Sequence, residues 1–339
     1  MRLAIVNDSL PAREGLQRLL RTRPDCELLW AAENGLEAID LCDQKRPDII
    51  LMDMVMPGMD GAEVTRRILS KHACAILIVT ASIFDNASKI FEAMGAGALD
   101  VAVTPNLSHP GEIAEFFRKL DQVQRLHGPE VTGMVEKYPI PMVNKKVPRT
   151  AILIGASAGG PTALAKILNT LPPGLPTGIV IAQHMDSRFD DAFISWLNDQ
   201  SAWPVRKAIA GDEITSGQVI VAGANRHLIF TSSQQLGFTD EPQFAYIPSI
   251  DVLFSSAARY WRGKLAGVVL TGMGSDGAKG LKQLREAGHL TLAQDRDSSA
   301  LYGMPKVAAE TGAASEILPL SRISDRLNRY VTTITASSP

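Results

Sequence analysis

Residues 150–160, TAILIGASAGG, decide the fold of the larger part of this chain. TAILIG is a short, unbroken apolar run rich in isoleucine, the pattern of a strand buried on both faces of a parallel sheet. ASAGG is turn-forming, and Pro161 behind it suits the first turn of a helix. Strand, tight turn and helix therefore follow one another directly. Within the turn, Gly155-Ala-Ser157-Ala-Gly159 has the G-x-S-x-G spacing of an elbow that lifts a serine hydroxyl clear of a strand's carboxyl end.

Outward from this unit the alternation continues. GIVIAQ (178–183) and LAGVVLT (265–271) read as buried strands, with helices near 160–170, 189–199, 249–261, 277–287 and 321–334. QVIVAGANRHLIFTSSQQLGF (218–238) reads as antiparallel strands inserted between helices. Upstream the pattern is repeated by LAIVN, ELLWAA, DIILMD, AILIVT and ALDVAV, with helices near 11–22, 35–45, 60–71, 87–95 and 110–126. Both halves are α/β, and ligands in such sheets sit at the carboxyl ends of the strands. Between them lies a stretch with four prolines and no long apolar periodicity. The expected organisation is a first domain over 1–123, a linker over 124–149 and a second domain over 150–339.

Composition removes several classes. Apolar residues make up 45% and charged residues 21%, which excludes global disorder, and a net charge of −2 leaves no basic footprint for nucleic acid. The charge is uneven: −5 over 1–123, +3 over 124–150 and 0 over 151–339. The apolar run in MRLAIVNDSL is too short for a signal peptide, and no run of about 18 apolar residues could span a bilayer. A cytoplasmic protein without membrane insertion is expected. Cys26, Cys42 and Cys74 have no metal-ligand spacing and fit reduced thiols in that compartment.

In the first domain Asp8 follows the first strand, Asp53 ends the third and Thr80 ends the fourth. Two carboxylates at neighbouring strand tips could hold a hard cation such as Mg²⁺. One could also attack a phosphoryl group, and a threonine hydroxyl could bond a phosphoryl oxygen. Either aspartate alone reads as a loop cap; the joint pattern points to the chemistry.

In the second domain Ser157 has three histidines to draw on. His184 follows IVIAQ at a strand's carboxyl end and is the candidate base. His227 lies in the inserted strands and His289 begins a strand at the opposite edge; both read as surface histidines. Asp276, in the loop GMGSDG after LAGVVLT, could orient the His184 ring, and the backbone N–H of Met273 or Gly274 could face an oxyanion. The plainer readings are that Ser157 and Asp276 are helix N-caps. No cysteine, zinc-ligand spacing or phosphate-binding lysine loop offers a rival chemistry here. A dinucleotide site would want an acid where Gln183-His184 stand.

A receiver-like half with ND (7–8), MDMVMPGMDG (52–61) and Thr80, joined by a basic linker to GASAGG (155–160), QHM (183–185), PSIDVLF (248–254), LTGMGSDGA (270–278), AQD (293–295) and GMP (303–305), resembles the chemotaxis protein-glutamate methylesterases, the CheB family. The resemblance implies a flavodoxin-like, CheY-like receiver followed by a parallel-sheet α/β methylesterase domain. It implies Asp53 as phosphoacceptor, Asp8 and Asp53 as Mg²⁺ ligands and Thr80 as the switch hydroxyl. Ser157 would be nucleophile, His184 base, Asp276 orienting acid and Met273 an oxyanion donor. The implied substrates are glutamate γ-methyl esters, and certain glutamines, on methyl-accepting chemotaxis receptors. The implied partner is a CheA-type histidine kinase, and catalysis needs no cofactor. The receiver and linker would cover the catalytic cleft until phosphorylated.

Three departures stand out. Asn7 replaces the first of two acids, Thr104 replaces a lysine before Pro105, and Ala158 replaces a threonine. The first two, with FEAMGAGALDV (91–101), look most like the Wsp-type branch. Two other readings are a phosphate-sink receiver with a degenerate output domain and a cofactor-binding regulator.

Overall fold

The computed structural model describes residues 1–81, 87–124, 148–223, 225–232, 235–242 and 247–336, so most of the expected linker lies outside the described residues. The chain divides into two compact units, residues 1–133 and 134–339.

In the first unit the order is β1 (Arg2–Val6), α1 (Leu10–Arg21), β2 (Glu27–Ala32), α2 (Gly35–Gln44), β3 (Ile49–Met52), α3 (Gly61–Leu69), β4 (Ala75–Thr80), α4 (Ala87–Gly95), β5 (Asp100–Val103) and α5 (Pro110–Gln124). The strands pair in the order β2-β1-β3-β4-β5, all parallel. β3 and β4 are buried along their whole length, as their unbroken apolar runs require, while the edge strand β2 is only half-buried. Asn34 and Asp60 start α2 and α3 by accepting the N–H of Glu37 and Glu63 at 3.0 and 2.9 Å. The strand order reverses between β1 and β3, which puts the loops bearing Asp8 and Asp53 side by side.

The second unit begins with β6 (Thr150–Ala156), α6 (Gly160–Thr170), β7 (Thr177–Gln183), α7 (Asp190–Asp199), β8 (Val205–Lys207), β9 (Val219–Val221), β10 (His227–Phe230) and β11 (Leu236–Thr239). It continues with α8 (Ile250–Tyr260), β12 (Lys264–Val269), α9 (Ala278–Glu286), β13 (Leu290–Gln294), α10 (Met304–Glu310), β14 (Glu316–Leu318) and α11 (Leu320–Ala336). Among the described residues the main sheet runs β14-β13-β12-β6-β7-β9-β8, again parallel throughout.

The inserted strands need correction. Among the described residues β10 and β11 form an antiparallel pair, whereas VIV (219–221) joins the main sheet beside β7. It is fully buried, so it carries no alternation that would mark its face. The three-residue strands β8 and β14, VRK and EIL, are too short to stand out in the sequence. His289 also differs from expectation. β13 is an interior strand, and His289 precedes it at the amino end of the sheet, remote from the carboxyl-end rim.

Candidate active site

β6 is the point where the strand order reverses, with β7 on one flank and β12 on the other. Register then does the positioning. Gly155 pairs with Ala182 and Ala156 with Gln183, so Ser157 and His184 leave their strands side by side. The His184 backbone N–H donates to the Ala156 carbonyl at 2.9 Å. On the other flank Gly155 pairs with Val269, and the Ser157 N–H donates to the Thr271 carbonyl at 3.0 Å. Ser157 is thereby held between the two neighbouring tips.

The turn is tight because Gly159 and Gly160 have no Cβ. Gly159 takes φ +73°, the left-handed conformation that glycine adopts without penalty, and serves as the N-cap of α6. The Ser157 hydroxyl is therefore not that helix's cap, which removes the plainer reading of this serine. A Cβ at Gly160 would overlap Gln183 Oε1, and the Gln183 amide donates to the carbonyls of Ser157 and His184 at 2.8 and 3.0 Å. That buried side chain ties the two tips together.

His184 meets the third group directly. Its Nε2 lies 2.8 Å from Asp276 Oδ2, with the side chains 7% and 11% exposed. A carboxylate only accepts, so Nε2 carries the proton and Nδ1 is the ring's basic nitrogen. Asp276 is not the N-cap of its own helix; Gly277 is. Instead it sits at the start of α8. Its Oδ2 also accepts the Ile250 N–H at 2.7 Å. Its Oδ1 accepts the Asp251 N–H at 2.9 Å, the Ser249 hydroxyl at 2.9 Å and the Gly277 N–H at 3.0 Å. Burial pushes the Asp276 pKa up, but the His184 bond, the His184 charge and the α8 N–H groups outweigh it and hold the carboxyl below its usual range. It is ionised at neutral pH.

Ser249, Ile250 and Asp251 carry no role in the sequence reading. The signal is present: a serine followed by an acid at the head of an apolar run marks a helix start, and such a start attracts an anion. Which anion is answered only by a residue far along the chain. His227 is the other correction. It is fully buried, not a surface histidine, and its Nδ1 accepts the Ser249 N–H at 2.9 Å.

Met273 follows Gly272, whose own N–H donates to the Leu301 carbonyl at 3.0 Å. The Gly272 carbonyl accepts from Gly303 and Met304 at 3.1 and 2.8 Å. In a trans peptide the N–H points opposite to the carbonyl, so the Met273 N–H faces away from the 301–304 loop.

In the first unit Asp8 is exposed after β1, and Asp53 is half-buried after β3. Burial, and secondarily the Asp8 charge, push the Asp53 pKa up, partly opposed by the N–H groups of Met54 and Val55. Asn7 is buried, and its Oδ1 accepts the Ser9 N–H at 2.8 Å. Thr80 is buried at the end of β4, and its carbonyl accepts the Thr104 N–H at 2.9 Å. Asp8 lies near enough for its charge to raise the Asp53 pKa, and a hard cation held by the two carboxylates would relieve that repulsion.

The profile described as CheB methylesterase matches residues 152–327, and the profile of the response regulator receiver domain matches residues 3–107. The protein-glutamate methylesterase/protein-glutamine glutaminase of Mesorhizobium japonicum is 45% identical over 96% of this chain and 98% of its own. The chain belongs to the CheB methylesterase family. A second member, from the group 3 operon of Pseudomonas putida, is 46% identical over 97% of this chain and 99% of its own. The crystal structure of the Thermotoga maritima CheB methylesterase catalytic domain superposes with a TM-score of 0.52 at 31% identity, covering 53% of this chain and 97% of that one. The sequence reading of family and fold class is thus borne out.

One expectation arises from the packing of this CheB-family site. A Cβ built on Gly272 would lie 2.6 Å from Ser157 Cβ and would overlap Met304 Sδ. The methionine can move; the serine, pinned on both flanks, cannot do so freely. Gly272→Ala is expected to lower kcat by about 10²-fold through a displacement of Ser157, with KM little changed. Steady-state rates of receptor demethylation check this, and an unchanged kcat would contradict it.

Proposed function

We propose that this chain is a cytoplasmic protein-glutamate methylesterase and protein-glutamine glutaminase that acts on methyl-accepting chemotaxis receptors under the control of receiver phosphorylation. The observation that carries it is the His184–Asp276 hydrogen bond beside the strand tip that ends in Ser157. Ser157 Oγ attacks the ester carbonyl while His184 Nδ1 takes its proton. The Met273 N–H stabilises the oxyanion. Collapse expels methanol, which leaves with the proton from His184, and a glutamyl ester on Ser157 remains. Water activated by the same imidazole hydrolyses that ester and returns glutamate. On glutamine the leaving group is ammonia. Asp276 stays ionised throughout, fixes the Nε2–H tautomer and stabilises the imidazolium. Methanol release from membranes carrying methylated receptors tests the reading: release should match the loss of receptor esters, and none from folded protein overturns it.

Asp53 is the proposed acceptor of a phosphoryl group from a CheA-type histidine kinase, with Thr80 as the switch hydroxyl. Asp8 and Asp53 would hold Mg²⁺, which when bound neutralises charge on the phosphoryl oxygens. Asn7 contributes an amide already engaged by Ser9 in place of a second acid, and Thr104 supplies no cation. Uptake from a small phosphodonor with Mg²⁺ is therefore expected to be slow, and Asn7→Asp to speed it. Intact mass reads both; an adduct that survives Asp53→Ala would refute the assignment. Among the described residues no helix is long and apolar enough to cross a membrane. The domain reading of 1–123, 124–149 and 150–339 stands as part of this proposal. Asn7 and Thr104 also support the Wsp-type branch, whose receptors govern a cyclic-dinucleotide signal. Deleting the gene should then change that nucleotide's level and leave swimming unaffected.

A further inference from the structure

We propose that His227 is a positioning residue for hydrolysis, acting through Ser249 on the carboxylate that holds His184; the inference rests on the roles of Ser157, His184 and Asp276 proposed above. His227 opens β10 and is fully buried. Its ring spans two backbone groups of opposite kind. Nδ1 accepts the Ser249 N–H at 2.9 Å, and Nε2 lies 3.0 Å from the Pro242 carbonyl. An N–H only donates and a carbonyl only accepts, so the ring is neutral, bare at Nδ1 and protonated at Nε2. One tautomer satisfies both partners.

Ser249 is the residue this arrangement fixes. It too is buried, and its side chain has a double duty. The hydroxyl donates to Asp276 Oδ1 at 2.9 Å and accepts the Val252 N–H at 3.3 Å, capping α8. The next two N–H groups, of Ile250 and Asp251, both end on Asp276. The ring of His227 therefore sets the start of the segment 249–251, from which three donors reach the carboxylate. That carboxylate in turn sets the tautomer of His184. Without an acceptor at Nδ1 the Ser249 N–H is left buried and unmatched, and the start of α8 must shift to find one. Such a shift reaches the reacting atoms through Asp276 and His184, and through Ile250 packed against Gly155 just before Ser157, so it alters the chemical step and not receptor binding.

Asparagine and glutamine separate the two ends of the ring. The shorter amide presents an oxygen near the Nδ1 position, whereas glutamine reaches toward the Nε2 position and leaves Ser249 unserved. The experiment compares His227→Asn, His227→Gln and His227→Leu in the full chain, with receptor-methanol release measured over a range of receptor concentrations. The glutamine and leucine variants are expected to lose about ten- to a hundred-fold in kcat with KM within about two-fold, and asparagine to recover most of the loss. Thermal melts should fall in all three, so rescue by asparagine separates positioning from stability. If leucine fails to fold, the two polar variants decide. Asparagine no better than glutamine, or a loss carried by KM, overturns the proposal. Ser157→Ala runs alongside. Wild-type release from it would sink the underlying reading. Its inactivity beside three wild-type-like His227 variants would sink only the role of His227.

Discussion

Ser157→Ala is expected to reduce methanol release from methylated receptors by at least about 10⁴-fold while leaving the protein folded. The size follows from what the hydroxyl does and does not do. It does not cap α6, because Gly159 occupies that position. The backbone bonds of residue 157 survive the change: its N–H to Thr271 at 3.0 Å, and its carbonyl receiving Gln183 and Gly160, each at 2.8 Å. Alanine removes one oxygen from a half-buried position and no hydrogen bond on which the turn depends. Stability should move by no more than about 0.5 kcal/mol. His184 and Asp276 remain paired, so residual hydrolysis would come from water placed by the same imidazole. Gas chromatography of methanol beside a thermal melt separates the two readouts. A folded variant keeping more than about a hundredth of the wild-type rate would remove Ser157 as the nucleophile.

The strands of both sheets are readable because parallel strands covered on both faces are written as continuous apolar runs. AILIVT, TAILIG and LAGVVLT leave little else for those residues to do. Strand order is another matter. That β7 lies beside β6 follows from the shortest crossover, but that β12 takes the other flank depends on which sheet edge is already occupied. Asp276 joins His184 only through that placement. Nearness in the chain draws the short strand VIV toward HLIF and LGF, whereas its hydrogen-bonding partners lie in β7 and β8. His227 escapes the sequence reading for a related reason. A polar residue opening a four-residue strand looks exposed, whereas His227 is buried and meets Ser249, which the fold brings to it from twenty-two positions away. The site's chemistry is thus legible where it sits on a strand tip, and illegible where a helix start from elsewhere supports it.

That support makes Asp276→Asn the sharper test of the site. The carboxylate accepts from five donors: Ser249, Asp251 and Gly277 on one oxygen, Ile250 and His184 on the other. A carboxamide has one oxygen and one NH₂, so either orientation turns a donor toward donors. With the NH₂ at the Oδ1 position it faces two backbone N–H groups. At the Oδ2 position it opposes the Ile250 N–H and strips the proton from the His184 Nε2 side, which moves that proton to Nδ1, the nitrogen needed as base. The second orientation disables the imidazole and the first leaves it only an uncharged acceptor that stabilises the imidazolium less, so kcat is expected to fall by about 10⁴-fold. Unlike the serine change, this one also destabilises, by about 1–3 kcal/mol at neutral pH, because buried donors lose their acceptor. The pH dependence has a definite sign. The folded pKa of Asp276 lies below its unfolded value, so the stability from its ionised form is complete above the ordinary carboxylate range of about 4. That stability is lost as pH falls through the folded value. Asparagine has nothing to lose there. The gap in melting temperature between wild type and Asp276→Asn should therefore be widest near pH 7 and should narrow steadily below about pH 4. A gap that is constant or that widens toward acid would mean the carboxylate is not held ionised by α8 and His184. A variant with near-normal kcat would mean the imidazole takes its orientation from elsewhere.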